Sequence, residues 1–119
     1  EGFDLILGAV NAAGNPNVPL PAGPPFFRYA DPATVRRALA KAGFVDVDVT
    51  TVDWMEWHVD SADELYEIFL EGTARTRELL RGQTETEAEA VREELRRRFR
   101  ERRGALRMPA VVSSGQKPL

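Results

Sequence analysis

The side chains best suited to contact a ligand form an aromatic cluster in the first third of the chain. The cluster follows a proline-rich stretch and consists of Phe26, Phe27, Arg28 and Tyr29. Rings on a loop that a rigid scaffold holds in place can form one wall of an apolar substrate pocket. The same rings can instead fasten the loop to the hydrophobic core. We expect a mostly buried cluster, and the pocket wall stays open as the alternative.

A second set of candidate substrate contacts lies further along the chain, at Trp54, Trp57 and His58. His58 is the only histidine. A catalytic histidine needs a partner that orients it or exchanges a proton with it, and no cysteine, second histidine or suitably spaced acid accompanies this one. We therefore expect His58 to be a packed or surface residue, and the sequence predicts no catalytic residue.

Several kinds of chemistry lack the residues that they require. The chain has no cysteine, which excludes a disulfide framework, a thiolate nucleophile and a cysteine-based zinc site. It also has no G-x-G-x-x-G turn, phosphate loop or nucleophile elbow, so no cofactor-binding or metal-binding residue is predicted.

The net charge is −3, which gives no general attraction for nucleic acid or for an anionic membrane. No apolar run is long enough to span a bilayer and no signal peptide opens the chain, so we expect a cytoplasmic protein. The start at Glu1 rather than Met indicates a processed product, a cleaved product or a fragment.

An arginine-rich run at residues 96–103 suggests nucleic-acid binding at first sight. However, Glu93 and Glu94 lie four residues before Arg97 and Arg98, a spacing that places opposite charges side by side on a helix. Cations near a helix C-terminus also complement the helix dipole. We therefore expect a solvated charged face and no nucleic-acid partner.

The helix and strand that would position the aromatic cluster have clear boundary signals. Asp31 can cap a helix, Pro32 suits its first turn, and Gly43 suits its end. Apolar residues then alternate with Asp46 and Asp48, which is the period of a half-buried strand. Residues 31–59 are thus predicted to be a helix–strand unit, with the strand at 45–59 broken near 50–51 and near 55–56.

The same reasoning predicts an α+β fold with about four helices and two antiparallel strands, in a single domain over residues 1–119. The small residues Gly72 and Thr73 interrupt the helix predicted at 61–80 and suggest that another helix or a ligand approaches there. The remaining predicted segments are a helix at 2–13, a Pro-rich loop at 14–30, a helical hairpin at 61–103 with helices at 61–80 and 84–103, a final strand at 106–112 interrupted by Pro109, and a polar tail at 113–119.

The A-G-F sequence at 42–44, followed by V-D-V-D-V, resembles the C-terminal end of class I S-adenosylmethionine-dependent methyltransferases, in particular bacterial members related to those of ubiquinone and menaquinone biosynthesis. The flanking sequences P-P-F-F-R-Y-A-D-P and D-S-A-D-E-L-Y-E-I-F-L-E-G-T extend the resemblance, less specifically, over most of the chain. The resemblance implies an α/β fragment in which the strand at 45–52 is the sixth strand of a Rossmann-like sheet and the seventh strand returns antiparallel beside it. The chain departs from the family in one large respect, because the cofactor-binding half is missing.

The resemblance implies a substrate-side and lid segment of a methyltransferase, with the helical hairpin as an insertion that caps the active-site cleft. This chain alone would then bind no cofactor and transfer no methyl group, although the parent family uses S-adenosylmethionine. The alternative is a stand-alone dimeric α+β module that binds a small apolar ligand. Because two strands alone are marginal and their edges are templates for pairing, we expect a homodimer joined through strand edges or through the helix at 2–13.

Overall fold

A computed structural model describes residues 1–102 and 104–119 of the chain. The elements, in chain order, are α1 (Gly2–Ala13), a 3₁₀ turn (Arg28–Ala30), α2 (Pro32–Lys41), β1 (Val45–Val52), β2 (Glu56–Trp57), α3 (Ala62–Gly72), α4 (Arg75–Arg81), α5 (Glu85–Arg100), β3 (Leu106–Arg107) and β4 (Ala110–Gln116). The fold is therefore α+β, as the sequence predicts. None of the helices in the described ranges combines the length and apolar character needed to cross a membrane.

The described residues form two compact units. The helical unit comprises Glu1–Pro21 and Trp57–Leu106, and the strand unit comprises Ala22–Glu56 and Arg107–Leu119. Each unit is thus assembled from two separate stretches of the chain. That residues 1–119 form a single domain stays a prediction.

The helical unit has a closed apolar core. Helix α1 packs against α5, α3 packs against α4 and α5, and the ring of Phe3 meets that of Phe69 edge to face at 4.8 Å. Helix α5 begins with a capping box, in which the Thr84 hydroxyl and the Glu87 carboxylate each accept a hydrogen bond from the other residue's backbone N–H. The largest fully buried side chains of this unit are those of Phe69, Ile6, Leu65, Leu95, Leu106, Val10 and Val91.

The predicted helix at 61–80 is interrupted, so the hairpin contains three helices and not two. Thr73 lies at the break: its hydroxyl donates to the Phe69 carbonyl at 2.6 Å and accepts from the Arg77 N–H at 3.1 Å. A threonine hydroxyl that bonds the backbone in this way competes with the backbone hydrogen bonds of the helix. Helix α3 therefore ends here, and α4 begins as a separate helix. The guanidinium of Arg77 also donates to the carbonyls of Leu70 and Glu71, which satisfies part of the α3 C-terminus.

Close approach to a glycine occurs at different positions from the one predicted. Gly72 is exposed, and a Cβ added there would meet no atom within 4 Å. In contrast, Gly82 lies against the Val18 side chain, and a Cβ on Gly14 would come within 2.5 Å of a Val91 methyl. The loop after α1 is therefore held tightly to the α4–α5 turn.

Gln83 fixes this loop through the amide of its side chain. Its Oε1 accepts from the Asn15 N–H at 2.7 Å, and its Nε2 donates to the Asn15 carbonyl at 2.8 Å and to the Leu79 carbonyl at 2.9 Å. Gln83 is buried, so these bonds satisfy backbone groups that would otherwise lose water without replacement.

The strand unit is built on the predicted helix–strand turn. The Asp31 carboxylate accepts hydrogen bonds from the backbone N–H and the hydroxyl of Thr34, which caps α2. Helix α2 ends before Gly43, whose φ of 92° is the left-handed conformation expected there. Strand β1 follows and pairs antiparallel with β4, with Thr50 opposite Val112 and Thr51 opposite Val111.

Both predicted strands differ from the observed ones in length. The strand at 45–59 stops at Val52, and only Glu56–Trp57 resumes as β2. The expected break near 50–51 is wrong, since those residues pair regularly, and the register instead shifts between Val45 and Asp48, where Asp46 has a φ of 49°.

The final strand is interrupted around Pro109, as predicted, and then continues to Gln116. Residues 113–116, predicted to be part of a polar tail, therefore belong to β4. Serine and glycine have weak strand propensity, and their partners on β1 override it here.

We predict that Gly14→Ala destabilises the chain by about 1–3 kcal/mol, the usual cost of forcing an extra carbon into a packed site. The added carbon would overlap a Val91 methyl and the Gln83 Oε1 atom. Gly72→Ala is the matched control and should leave the free energy of unfolding unchanged or raise it by up to about 1 kcal/mol, because alanine is the better helix former. Urea unfolding followed by circular dichroism measures both variants. Equal stability of the two would contradict the packing described here.

Candidate functional site

The candidate site is a cleft of about 390 Å³ within the strand unit. This α2–β4 cleft lies between the 3₁₀ turn, α2 and β4, and its volume is within the usual range for small-molecule sites. Its lining residues are Tyr29, Val35, Ala38, Leu39, Val111 and Ser113.

Each wall of the cleft has a local cause in the sequence. The 3₁₀ turn is closed by hydrogen bonds from the Arg28 N–H to the Pro25 carbonyl and from the Ala30 N–H to the Phe27 carbonyl, both 3.0 Å. This turn carries Tyr29, and the Arg28 guanidinium lies 5.0 Å from the centre of its ring, a cation–π distance.

The other two walls follow from the periods of helix and strand. Val35, Ala38 and Leu39 lie on one face of α2 because they are spaced by three and four residues. Val111 and Ser113 are two residues apart on β4 and so share the face of the sheet that α2 covers.

This arrangement suits binding rather than catalysis. The lining is mostly aliphatic, and the side-chain polar groups are the hydroxyls of Tyr29 and Ser113. No charged side chain lines the cleft, and the described ranges contain no group of three or more His, Cys, Asp or Glu residues able to hold a metal ion. The cleft offers an apolar surface with two hydrogen-bonding hydroxyls.

The aromatic cluster is more exposed than we expected, so its predicted burial is wrong. Phe26, Phe27 and Tyr29 are 48%, 52% and 54% exposed, although the two phenylalanine rings contact each other edge to face at 4.8 Å. The physical reason is the thin core of the strand unit. Its buried apolar side chains are those of Val35 and Met108, too few to cover three rings. Truncating Phe27 should therefore cost less than the roughly 3 kcal/mol typical of a buried ring.

The second candidate set does not join the cluster. Trp54 is 78% exposed in the segment between β1 and β2. Trp57 belongs to the helical unit, where its ring centre lies 6.2 Å from that of Phe69, and His58 is an exposed residue of the same unit. Of the residues proposed as substrate contacts, the structure places only Tyr29 in the cleft, with Arg28 against its ring.

Sequence reasoning missed five of the lining residues. Val35, Ala38 and Leu39 recur at helical spacing, a pattern that indicates a face packed on the core and does not by itself indicate a ligand site. The signal for Val111 and Ser113 was weaker, since the strand prediction ended at Val112. The apolar alternation that starts at Leu106 continues at every second residue and so skips Val111. Val111 could have been predicted to face α2 only if the alternation had been expected to shift by one residue at Pro109.

Within the arginine-rich run, Arg96, Arg97 and Arg98 are paired with acids of the helical unit, and Arg103 lies outside the described residues. Arg96 donates to both Asp63 carboxylate oxygens, at 2.9 and 3.2 Å, and Arg97 and Arg98 both bond to Glu94. These contacts support the solvated-face interpretation of the run. That the chain has no nucleic-acid partner stays a prediction.

The same ion pairs shift the titration of the acids. Hydrogen bonds from Arg97 and then Arg98 lower the pKa of Glu94 from 4.5 to about 2. The side chain of Arg96 likewise holds the pKa of Asp63 below its usual value. Both carboxylates are thus bound as charged groups in the folded chain.

We predict that Glu94 makes the chain sensitive to acid. A carboxyl whose pKa is lower in the folded than in the unfolded chain contributes stability above the unfolded pKa, and that contribution is lost as the pH falls through the folded value. Glu94→Gln should therefore lower Tm at pH 7 and flatten the fall of Tm between pH 4.5 and 2. The control is Glu71→Gln, at an exposed carboxylate without an ion pair in the described ranges. Parallel Tm–pH curves for Glu94→Gln and the parent chain, measured by circular dichroism, would refute this role.

Comparison of the chain with protein-family models, with curated proteins and with solved structures finds no match.

Proposed function

We propose that this chain is the C-terminal, substrate-side segment of a class I S-adenosylmethionine-dependent methyltransferase. The observation that carries the proposal is the pairing of β1 with β4. A helix ending in A-G-F leads directly into β1, and β4 returns antiparallel beside it after three inserted helices. This is the order of elements that the sequence resemblance implies for the end of such an enzyme.

The open sheet of the strand unit also supports the proposal. Helix α2 covers one face of the β1–β4 pair, whereas Thr50 and Val112, which pair with each other, are exposed on the other face. With only Val35 and Met108 as buried apolar side chains, this sheet lacks the second layer that a stable sheet normally has. A two-stranded piece of a wider sheet would likewise have an uncovered face when it is separated from the rest of that sheet.

The described residues do not fit S-adenosylmethionine itself. Such cofactors lie against a glycine-rich turn that follows a strand, with an acidic residue at the end of the next strand. Here Gly43 precedes β1 rather than following it, and Gly104 stands alone before β3. No methyl-transfer step is assigned to this chain, and its proposed contribution is an apolar substrate wall at the α2–β4 cleft and a lid formed by α3, α4 and α5.

We predict that the isolated chain binds S-adenosylmethionine more weakly than about 100 μM, which corresponds to roughly −5.5 kcal/mol. Titration calorimetry measures this directly. The native protein should behave differently. Antibodies raised against the chain should precipitate a polypeptide heavier than 13.3 kDa from the source cells. Ultraviolet irradiation should cross-link this heavier polypeptide to S-adenosylmethionine labelled in the methyl group. A native polypeptide of 13.3 kDa that takes up no label would overturn the proposal.

The α2–β4 cleft favours a second candidate function, that of a stand-alone module binding a small apolar ligand. A phenol such as p-cresol matches the aliphatic lining and the hydroxyls of Tyr29 and Ser113. We expect p-cresol to shift the amide NMR signals of Val111 and Ser113. Ala38→Phe should abolish the shifts by filling the cleft, while Ala40→Phe, on the exposed side of the same helix, should preserve them. Shifts that survive Ala38→Phe would place the ligand elsewhere.

A further inference from the structure

Strand β4 has an outer edge without the usual protection against pairing. Edge strands are normally guarded by charged side chains, proline or bulges. The seven residues of β4, A-V-V-S-S-G-Q, contain none of the charged residues and no proline. Strand β1, in contrast, carries Asp46 and Asp48, and its register shifts between Val45 and Asp48. The two outer edges of this sheet are therefore unequal, and β4 is the open one.

The outer edge of β4 also has no backbone partner among the described residues. In this two-stranded sheet β4 pairs only with β1, and no loop backbone in the described ranges bonds to residues 110–116. Because every second residue of an edge strand directs its N–H and C=O away from the neighbouring strand, these groups are available to another strand.

A further observation concerns the face of the sheet opposite α2. Val111 and Ser113 face α2, so Val112 points to the opposite side, where it is 55% exposed. Thr50 and Val52 of β1 share that side, since they pair with Val112 and Ala110. An apolar strip thus borders the open edge.

The apolar face of α1 is already used within the helical unit, which removes the alternative interface. Ile6, Ala9 and Val10 are fully buried there, and Phe3 packs on Phe69. Of the two interfaces that the sequence suggests, the strand edges and the helix at 2–13, the strand edges remain.

We propose that two copies of this chain join through β4, antiparallel, about a two-fold axis at Ser113. This register overlaps all seven residues and places Val112 of one copy opposite Ser114 of the other, with the two Val112 side chains as diagonal neighbours on the same face.

A second copy suits this edge because a two-fold contact pairs β4 with the same strand of the other copy, and β4 brings no like charges together. Arg107 and Lys117 lie outside the overlap. The product is a four-stranded sheet in the order β1, β4, β4 and β1, which removes the marginal two-stranded sheet. This inference does not rest on the methyltransferase proposal.

Sedimentation equilibrium of the 119-residue chain at micromolar concentration tests the proposal, with an expected mass of about twice 13.3 kDa. Val112→Glu should weaken dimerisation about tenfold or more, because it sets two carboxylates diagonally across the axis and removes an apolar contact. Thr50→Glu is the matched control: it adds the same charge to the same face, opposite Val112 on β1, away from the outer edge of β4. Its dimerisation constant should stay within about threefold of the parent value.

A double variant tests the register. In Val112→Glu combined with Ser114→Lys, the new carboxylate of one copy lies opposite the new ammonium of the other, so dimerisation should recover relative to Val112→Glu alone. Ser113→Cys adds a readout that does not depend on affinity. The chain has no other cysteine, and the two thiols would meet at the axis and form an intermolecular disulfide on oxidation, whereas Asp48→Cys should not. Circular dichroism establishes that each variant is folded. A monomeric parent chain, or a dimer equally insensitive to Val112→Glu and Thr50→Glu, would overturn the proposal.

Discussion

The strand unit depends on the pairing of β1 with β4. These strands are separated in the chain by the whole stretch from Trp57 to Leu106, so their pairing closes a long loop. The entropic cost of loop closure grows only slowly with length, by roughly 0.6 kcal/mol for each doubling. The length of the stretch between them therefore adds little to the cost of bringing the strands together. This explains how a small sheet tolerates so large an insertion between its two strands.

The two units differ in how completely they bury their apolar side chains. The helical unit encloses Phe69, Leu65, Leu95 and their neighbours, and ion pairs between α3 and α5 cover its outer face. Each exposed ion pair contributes little stability, so the closed core must supply most of the stability of the helical unit. The strand unit has no comparable core, and its rings and strand edge remain exposed. Ligands and partners are thus more easily accommodated by the strand unit, which holds both the α2–β4 cleft and the open edge of β4.

How far the sequence predicted this structure depends on the range of the interactions involved. Helix starts were predicted well because caps act over three or four residues, as with Asp31 and Thr34 or Thr84 and Glu87. Gly72 and Thr73 were predicted to interrupt the helix at 61–80, but not to end it, because a threonine hydroxyl fits a helix interior and a helix end equally well. Residues 113–116 were missed because their strand conformation comes from partners on β1, far away in sequence. The exposure of Phe27 could not be foreseen either, since it depends on how much core the strand unit can assemble.

The proposed methyltransferase role and the proposed β4 dimer concern the same edge, and this constrains how they combine. If a longer polypeptide supplies another strand of a wider sheet, that strand satisfies the outer N–H and C=O groups of β4 and excludes a second copy. If no such strand is supplied, self-pairing is the remaining way to satisfy them with backbone partners. An edge without charges or proline is compatible with both outcomes, whereas a guarded edge such as that of β1, with Asp46 and Asp48, is suited to staying unpaired. The composition of β4 therefore places no charge or proline in the way of a neighbouring strand. The dimerisation constant of the isolated chain therefore measures how favourable it is to pair the outer edge of β4 with another strand.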